Sequence, residues 1–159
     1  MMNKTMTFIM AGLAVMVMGR TDPASAQFGA LQKRLAATTR IDCKFSTLAT
    51  GTWNDGASAA EVTSTDLELS FSDINIDEGT AEADSRFGPS FIVVRYTTEY
   101  LHLVQMFGAG PLYVTTVLAR ETKDGRLMAV HTRHEYTPTR LVGFTSRPEM
   151  YVGDCAVDG

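Results

Sequence analysis

The chain contains very little cysteine: Cys43 and Cys155 are the only two, and they are 112 positions apart. No C-x-x-C pair is present, which excludes the common redox motif and the usual spacing of zinc ligands. Outside the cytoplasm, an isolated pair of cysteines is typical of a disulfide bond. Because that bond usually holds the two Cα atoms about 5–6 Å apart, we predict that Cys43 is bonded to Cys155 and that the first and last strands are neighbours.

Positive charge is also scarce. The chain has 14 lysine and arginine residues against 18 acidic residues, which gives a formal net charge of −4 at pH 7. A protein that binds nucleic acid needs a basic patch that neutralises phosphates and releases their counterions, and an anionic membrane surface likewise attracts clustered lysine and arginine. The sequence therefore predicts a protein that binds neither nucleic acid nor a charged membrane surface.

Long apolar runs are missing except near the amino terminus, where residues 7–18 contain no charge. Lys4 precedes this run, and Ala24, Ser25 and Ala26 follow it with the small side chains of a signal-peptidase site. The run is too short for a membrane span, which takes about 20 apolar residues. We predict a cleaved signal peptide over residues 1–26, no membrane anchor, and a single domain over residues 27–159 that is periplasmic or secreted.

Short strands of alternating polarity dominate after residue 40. In the first predicted strand, residues 42–53, apolar and polar side chains alternate over much of the length. Turn sequences recur at residues 54–56, 77–79 and 123–125, each ending in glycine. Strands and helices do not alternate, as they would in a parallel sheet. The sequence thus predicts an all-β fold, an antiparallel meander of eight or nine strands that closes as a barrel or a sandwich.

The segment before the first strand has a different pattern. Phe28, Leu31 and Leu35 recur there at helical spacing. Residues 27–40 are therefore either a short helix or a flexible lead-in to the sheet.

Three later strands are apolar on both faces in places: residues 91–98, 100–107 and 112–120. Such strands must be covered on both sides. The cover can come from the segment over residues 27–38, from a second subunit, or from a ligand held in an apolar cavity. The sequence leaves these three explanations open, so a homo-oligomer is among the expected states.

The strand over residues 126–136 contains the pattern His131-Thr132-Arg133-His134-Glu135. In a strand, residues three apart point to opposite faces, so the two histidines do not chelate one ion and no metal site is predicted. His131, Arg133 and Glu135 share one face. Two interpretations stay open: a solvated charged face opposite a hydrogen-bonded His134, or a patch formed by His131 and Arg133 that binds an anion, with Arg133 as a forked donor.

Two further side chains stand out from their surroundings. Arg95 follows an apolar run that begins at Phe91, so it must reach solvent or find a partner. Glu99 is one such partner, and the head group of a ligand is another. Trp53 is the only tryptophan and ends the first predicted strand, where we expect it in the core.

Catalytic and cofactor motifs are not apparent. The chain has no G-x-S-x-G sequence and no cysteine beyond the expected bridge that could act as a nucleophile. The glycines around Gly110 resemble a turn more than a phosphate-binding loop, because no helix pattern follows them. We therefore predict no cofactor and name no catalytic residue, and the sequence favours a protein that is not an enzyme.

Two resemblances to known proteins bear on the fold. Gly51-Thr52-Trp53 resembles the G-x-W signature in the first strand of lipocalins, where the tryptophan closes one end of the barrel, so the resemblance implies a lipocalin-like barrel. Residues 43–53, 115–119, 129–134 and 151–155 are similar to segments of small exported bacterial proteins of unknown function. That second resemblance covers much of the predicted mature chain and implies no activity.

These observations support one leading function and two alternatives. The leading hypothesis is a non-enzymatic protein that binds a small, partly apolar or amphipathic ligand inside the barrel, with a lining that includes Phe45, Trp53, Arg95 and His134. The first alternative is a cell-envelope module that contacts another protein or its own copy. The second is a hydrolase-type enzyme whose residues meet only in the fold.

Overall fold

The computed structural model describes residues 23–84, 88–108, 110–137 and 146–158. These residues form one helix followed by eight strands, in the order α1 Pro23–Ala37, β1 Ile41–Asn54, β2 Ala57–Asn75, β3 Thr80–Asp84, β4 Ser90–Thr97, β5 Tyr100–Met106, β6 Leu112–Glu121, β7 Leu127–His134 and β8 Glu149–Val157.

The eight strands form one closed barrel. Each strand pairs antiparallel with the next along the chain, and β8 returns to pair with β1. Tight turns make the reversals: Gly56, Gly79 and Gly125 have φ values of 82°, 72° and 74°, a conformation that glycine adopts without steric cost. The predicted all-β antiparallel meander is confirmed, with eight strands in a single ring.

The predicted disulfide is confirmed and lies at the seam of the ring. Cys43 on β1 is directly opposite Cys155 on β8, with Cα atoms 3.9 Å apart, and both side chains are buried. The bond therefore joins the first and last strands, as the positions of the two cysteines predicted. Beside it, Phe45 faces Gly153 at a bulge that shifts the register between Phe45 and Thr47.

The lead-in segment forms helix α1, which packs its apolar side against the barrel core. Leu35 is fully buried, and Phe28 and Leu31 pack against the same core cluster. Polar contacts fix the position of the helix: Arg34 donates to Glu121 Oε1 and to the Gly125 carbonyl at 3.1 and 3.2 Å. The helix thus closes one end of the barrel, and the strand ends near Glu121 lie beneath it.

The helix begins at Pro23, before the predicted cleavage site. Ala24, Ser25 and Ala26 are exposed on its first turns, and the three core-packing side chains all follow Gln27. Cleavage after Ala26 would therefore leave the contacts between helix and core in place. Residues 1–22, which carry the rest of the predicted signal peptide, lie outside the described residues.

The strands that are apolar on both faces use one face for the core. Their inward side chains are buried and include Val94, Leu103 and Val117. Their outward side chains form a row in register, Val93 opposite Val104 and Val104 opposite Val114, and Val93 is 44% exposed. Because α1 packs on the core at one end, it does not cover this outer row.

The prediction that Trp53 belongs to the core is wrong: its side chain is 53% exposed. The reason is the length of the β1–β2 hairpin. β8 pairs with β1 only as far as Thr50, whereas β1 continues to Asn54 with β2 as its partner. Trp53 lies on this projecting part, where its ring packs edge-on against Tyr136 with centroids 5.6 Å apart.

The disulfide predicts a large stability difference between the oxidised and reduced protein. A bridge that closes a loop of 112 positions restricts the unfolded chain by about 4–5 kcal/mol in the chain-entropy model. We expect the double variant Cys43→Ala, Cys155→Ala to lose a free energy of unfolding of that order, measured by urea denaturation. The reduced wild-type protein is the control and should match the variant; an unchanged midpoint in both would contradict this expectation.

Gly153 is predicted to accept no side chain. A Cβ atom added there would lie 2.7 Å from Phe45 Cα and 2.9 Å from the Lys44 carbonyl carbon, and backbone atoms at a strand junction cannot move aside cheaply. We expect Gly153→Ala to lower the free energy of unfolding by about 1–3 kcal/mol or more. Gly29→Ala is the matched control, because no atom lies within 4 Å of its added Cβ, and a helical alanine adds up to about 1 kcal/mol. Equal stability of the two variants would show that the junction tolerates a side chain.

Candidate functional site

The barrel interior turns polar at the end away from α1. One inward position on each of five neighbouring strands carries a polar side chain, and the strand register places these side chains in a single row. We call this the polar row; around the ring it consists of Gln105, Tyr113, Arg133, Glu149 and Thr50. The rest of the inward surface toward α1 is built mainly from apolar side chains such as Leu101, Val117 and Leu127. The two ends of the barrel therefore differ in chemistry.

His131 lies one layer below the polar row and is 4% exposed. Its Nδ1 is 2.8 Å from Thr115 Oγ1, and its Nε2 accepts a hydrogen bond from Arg133 Nε at 3.2 Å. Because Nε2 accepts, the proton of the neutral ring is on Nδ1, which donates to the threonine hydroxyl. Burial, with the charge of Arg133 as a second cause, lowers the pKa of His131 to about 3. The imidazole is therefore neutral at physiological pH.

Aromatic rings surround this imidazole. The ring centroids of Tyr151, Phe45 and Tyr113 are 5.6, 5.9 and 6.1 Å from that of His131. The guanidinium carbon of Arg133 is 5.2 Å from the centroid of Tyr113 and 5.1 Å from that of Tyr151, within cation–π distance of both. The arginine head is thus held between two tyrosine rings, and its orientation is restricted.

Two carboxylates complete the site. Glu149 is directly opposite Arg133 in the strand register, its Oε2 lies 3.7 Å from Arg133 Nη1, and the same oxygen accepts from the Tyr151 hydroxyl at 2.5 Å. Glu135 Oε2 accepts from the Tyr113 hydroxyl at 2.8 Å. With one arginine, two carboxylates and a neutral histidine, the site carries a formal charge of −1.

Both tyrosines are protonated well into the alkaline range. Burial, followed by the hydrogen bond to Glu135, raises the pKa of Tyr113 to about 12. Burial and the hydrogen bond to Glu149 raise the pKa of Tyr151 as well. Each phenol therefore remains a hydrogen-bond donor to its carboxylate up to alkaline pH.

The arrangement is better suited to holding a polar group than to transferring protons. An efficient general base has a pKa near the working pH, whereas the pKa of His131 is about 3. The site offers donors on Arg133, acceptors on two carboxylates and aromatic surface on Tyr113. Phe107 extends that surface outward, since its ring packs edge-on against Tyr113 with centroids 4.9 Å apart and is 39% exposed.

The structure brings together four of the residues singled out in the sequence and separates the others. Phe45, His131 and Arg133 meet inside the barrel, and Glu135 joins them through the Tyr113 hydroxyl. His134 is exposed on the outer face of β7, and Arg95 is exposed on the outer face of β4, where its Nη1 donates to the Val94 carbonyl and not to Glu99.

One expectation about the face of β7 needs correction. The interpretation of His131, Arg133 and Glu135 as a solvated charged face is wrong. Closure of the barrel turns this face inward, on the same side of β7 as Leu127 and Ala129. Of the anion patch formed by His131 and Arg133, only the arginine carries a positive charge, and Glu149 already lies beside it.

Sequence reasoning missed Tyr113, Thr115, Glu149 and Tyr151. A usable signal existed for β8: once Cys155 is assigned to the inner face by its bond, residues 153, 151 and 149 share that face by alternation. No comparable marker was present in β6, whose two faces are both largely apolar.

The site predicts how stability depends on pH. The histidine titrates near 6.5 in the unfolded chain and near 3 in the folded protein, so acidification protonates the unfolded state first. We expect the free energy of unfolding to fall as pH drops from about 6.5 to 3, with a contribution from His131 of up to about 1.4 kcal/mol per pH unit. Urea denaturation at a series of pH values measures this slope.

His131→Gln removes the titrating group, keeps a hydrogen-bonding side chain, and should reduce the slope in that window. His134→Gln is the matched control, because that side chain is exposed outside the barrel, and it should keep the wild-type slope. Identical slopes in both variants would show that His131 does not cause the pH dependence.

Neither metal ligands nor a membrane-spanning helix are found in the described part of the chain. Residues 23–84, 88–108, 110–137 and 146–158 contain no group of three or more histidine, cysteine, aspartate or glutamate side chains placed to hold a metal ion. In the same residues, no helix combines the length and the apolar character that a membrane span requires.

Comparisons with known proteins give no match to this chain: no protein-family model, no curated protein and no solved structure matches it.

Proposed function

We propose that this protein is an exported, non-enzymatic binding module that holds one small, partly apolar ligand at the polar end of its barrel. The polar row would contact the polar part of the ligand, and the rings of Tyr113 and Phe107 would contact its apolar part. Among the residues named from the sequence, Phe45 would pack against His131 on the core side of the site.

The polar row is the observation that carries this proposal. Arg133 and Glu149 are inside the barrel with side chains only 20% and 14% exposed. Moving such charges out of water costs several kcal/mol, and well-packed apolar residues at the same positions often stabilise a fold as much or more. Because the barrel gains little stability from these groups, recognition of another molecule is the simplest role for them.

The proposed location rests on two further observations. The buried Cys43–Cys155 bond fits an oxidising compartment. Residues 1–26 have the charge, apolar run and small residues of a signal peptide. These two observations support the proposal that the working protein acts in the periplasm or outside the cell.

The rival function is self-association through the outer face of the barrel. One outward row, Val93, Val104, Val114, Thr132, Met150 and Ala49, runs across six strands in register without a charged residue. A second copy is the occupant that this face fits, because an uncharged face can meet its own copy without like-charge repulsion. A hydrolase-type activity has less support, since the pKa of His131 is too low for a base near neutral pH.

Native mass spectrometry of the oxidised protein, before and after organic extraction, tests the proposal. We expect an additional mass that extraction removes. Arg133→Leu should weaken the affinity at least about tenfold, the loss expected when a charged hydrogen bond to a ligand is removed, and so lower the occupied fraction. Arg95→Leu is the matched control, because Arg95 lies outside the barrel, and it should retain the mass.

The other outcomes are equally informative. A monomer without additional mass, recovered from the native host, would contradict ligand binding. A dimer without additional mass would instead support association through the outer face. Loss of the mass in Arg95→Leu and not in Arg133→Leu would place the ligand outside the barrel and overturn the assigned site.

A further inference from the structure

The ion pair between Arg133 and Glu149 is incomplete as a hydrogen-bonded pair. The two residues are directly opposite on β7 and β8, yet the distance between Nη1 and Oε2 is 3.7 Å. A charge-assisted hydrogen bond at this site would be about 2.7–2.9 Å long. The two groups therefore attract each other electrostatically while the hydrogen-bonding capacity between them is not used.

Both groups are nevertheless held in place by their neighbours. Arg133 donates through Nε to His131 and lies between the rings of Tyr113 and Tyr151. Glu149 accepts from the Tyr151 hydroxyl through Oε2. Fixing a long side chain in advance reduces the entropy lost when a ligand binds. The site thus has the rigidity expected of a recognition element.

Arg133 and Glu149 both keep atoms that form no hydrogen bond with any described residue. Among the described residues, neither terminal nitrogen of Arg133 has a hydrogen bond, and Oε1 of Glu149 has none. A forked donor and a carboxylate acceptor therefore lie side by side at the polar end of the barrel. Phe107 and Tyr113 supply aromatic surface beside them.

The charges decide which ligands fit this donor–acceptor pair. An anion would be attracted to Arg133 but repelled by Glu149 and Glu135. A cation would be attracted to the two carboxylates but repelled by Arg133, and it would offer no acceptor to the terminal nitrogens of that arginine. A polar group that offers an acceptor and a donor together satisfies both sides without adding net charge. Two kinds of compound have this chemistry: the zwitterion of an α-amino acid and an uncharged carboxamide.

We infer that Arg133 and Glu149 recognise a ligand with no net charge that carries an acceptor and a donor side by side next to an aromatic or other apolar body. The acceptor bonds to the terminal nitrogens of Arg133, the donor bonds to Glu149, and the body lies on Tyr113 and Phe107. This inference rests on the proposed binding function and specifies its ligand class.

A series of probes that share one benzyl body tests the inference by isothermal titration calorimetry with the oxidised protein. L-phenylalanine is the zwitterion, N-acetyl-L-phenylalaninamide is the uncharged amide, N-acetyl-L-phenylalanine presents only a carboxylate, and phenethylamine presents only an ammonium group. We expect the zwitterion or the amide to bind at least about tenfold more tightly than either singly charged probe. The tighter of the two identifies the kind of compound.

Glu149→Gln provides the second arm of the test. It should weaken phenylalanine binding at least about tenfold while affecting the amide less, because a glutamine side chain still accepts a hydrogen bond but has no charge for the ammonium group. Glu68→Gln is the matched control, since Glu68 pairs with Lys44 on the exposed outer face, and it should bind as the wild type does.

Each contrary result has a defined meaning. If a singly charged probe binds as tightly as the zwitterion and the amide, or if no probe binds at millimolar concentration, the inferred ligand class is wrong. The proposed binding function would survive that result if native mass spectra still show a removable mass, and it would fail with the inference if they do not. Because the probe series uses the wild-type protein, it remains decisive even if Glu149→Gln does not fold.

Discussion

The bond between Cys43 and Cys155 fixes the geometry on which the rest of the barrel depends. The two residues are directly opposite, so their bond joins β1 to β8 and closes the ring in one register. A slip of one residue in a strand would exchange its inner and outer faces. With the register fixed at this point, alternation turns Tyr151 and Glu149 inward on β8, and pairing with β7 turns His131 and Arg133 inward beside them. The cross-link and the polar site are therefore parts of one arrangement.

The fold was largely predictable because its determinants are local. Glycine-containing turns such as Asp55–Gly56 and the alternation within the strands set the meander, and the cysteine positions set its closure. Trp53 was wrongly predicted to be buried, because its exposure depends on where β8 ends beside β1. The sequence of β1 alone contains no information about that position. The strand over residues 127–134 was correctly divided into two faces, but the choice of which face turns inward depends on its neighbours around the ring.

The site was predictable only in part, for a related reason. Arg133 and His131 were visible as polar residues on one face, and Phe45 as an apolar residue of the first strand. Their partners Tyr113, Tyr151 and Glu149 come from strands that are distant in sequence and adjacent in space. A partner of that kind is identified only when register is known. The low pKa of His131 is likewise a property of enclosure by rings from three strands.

The projecting β1–β2 hairpin has a consequence for strand pairing between two copies of the protein. A closed barrel satisfies the backbone hydrogen bonds of every strand from both sides, but β3 pairs with β2 only from Ser70 to Asn75. Among the described residues, the earlier half of β2 has β1 as its sole partner and keeps a free backbone edge. Such an edge invites a strand from another molecule. Glu61 and Asp66 are exposed along this segment, and a second copy would bring the same negative charges into contact, so electrostatic repulsion opposes pairing of two copies along this edge.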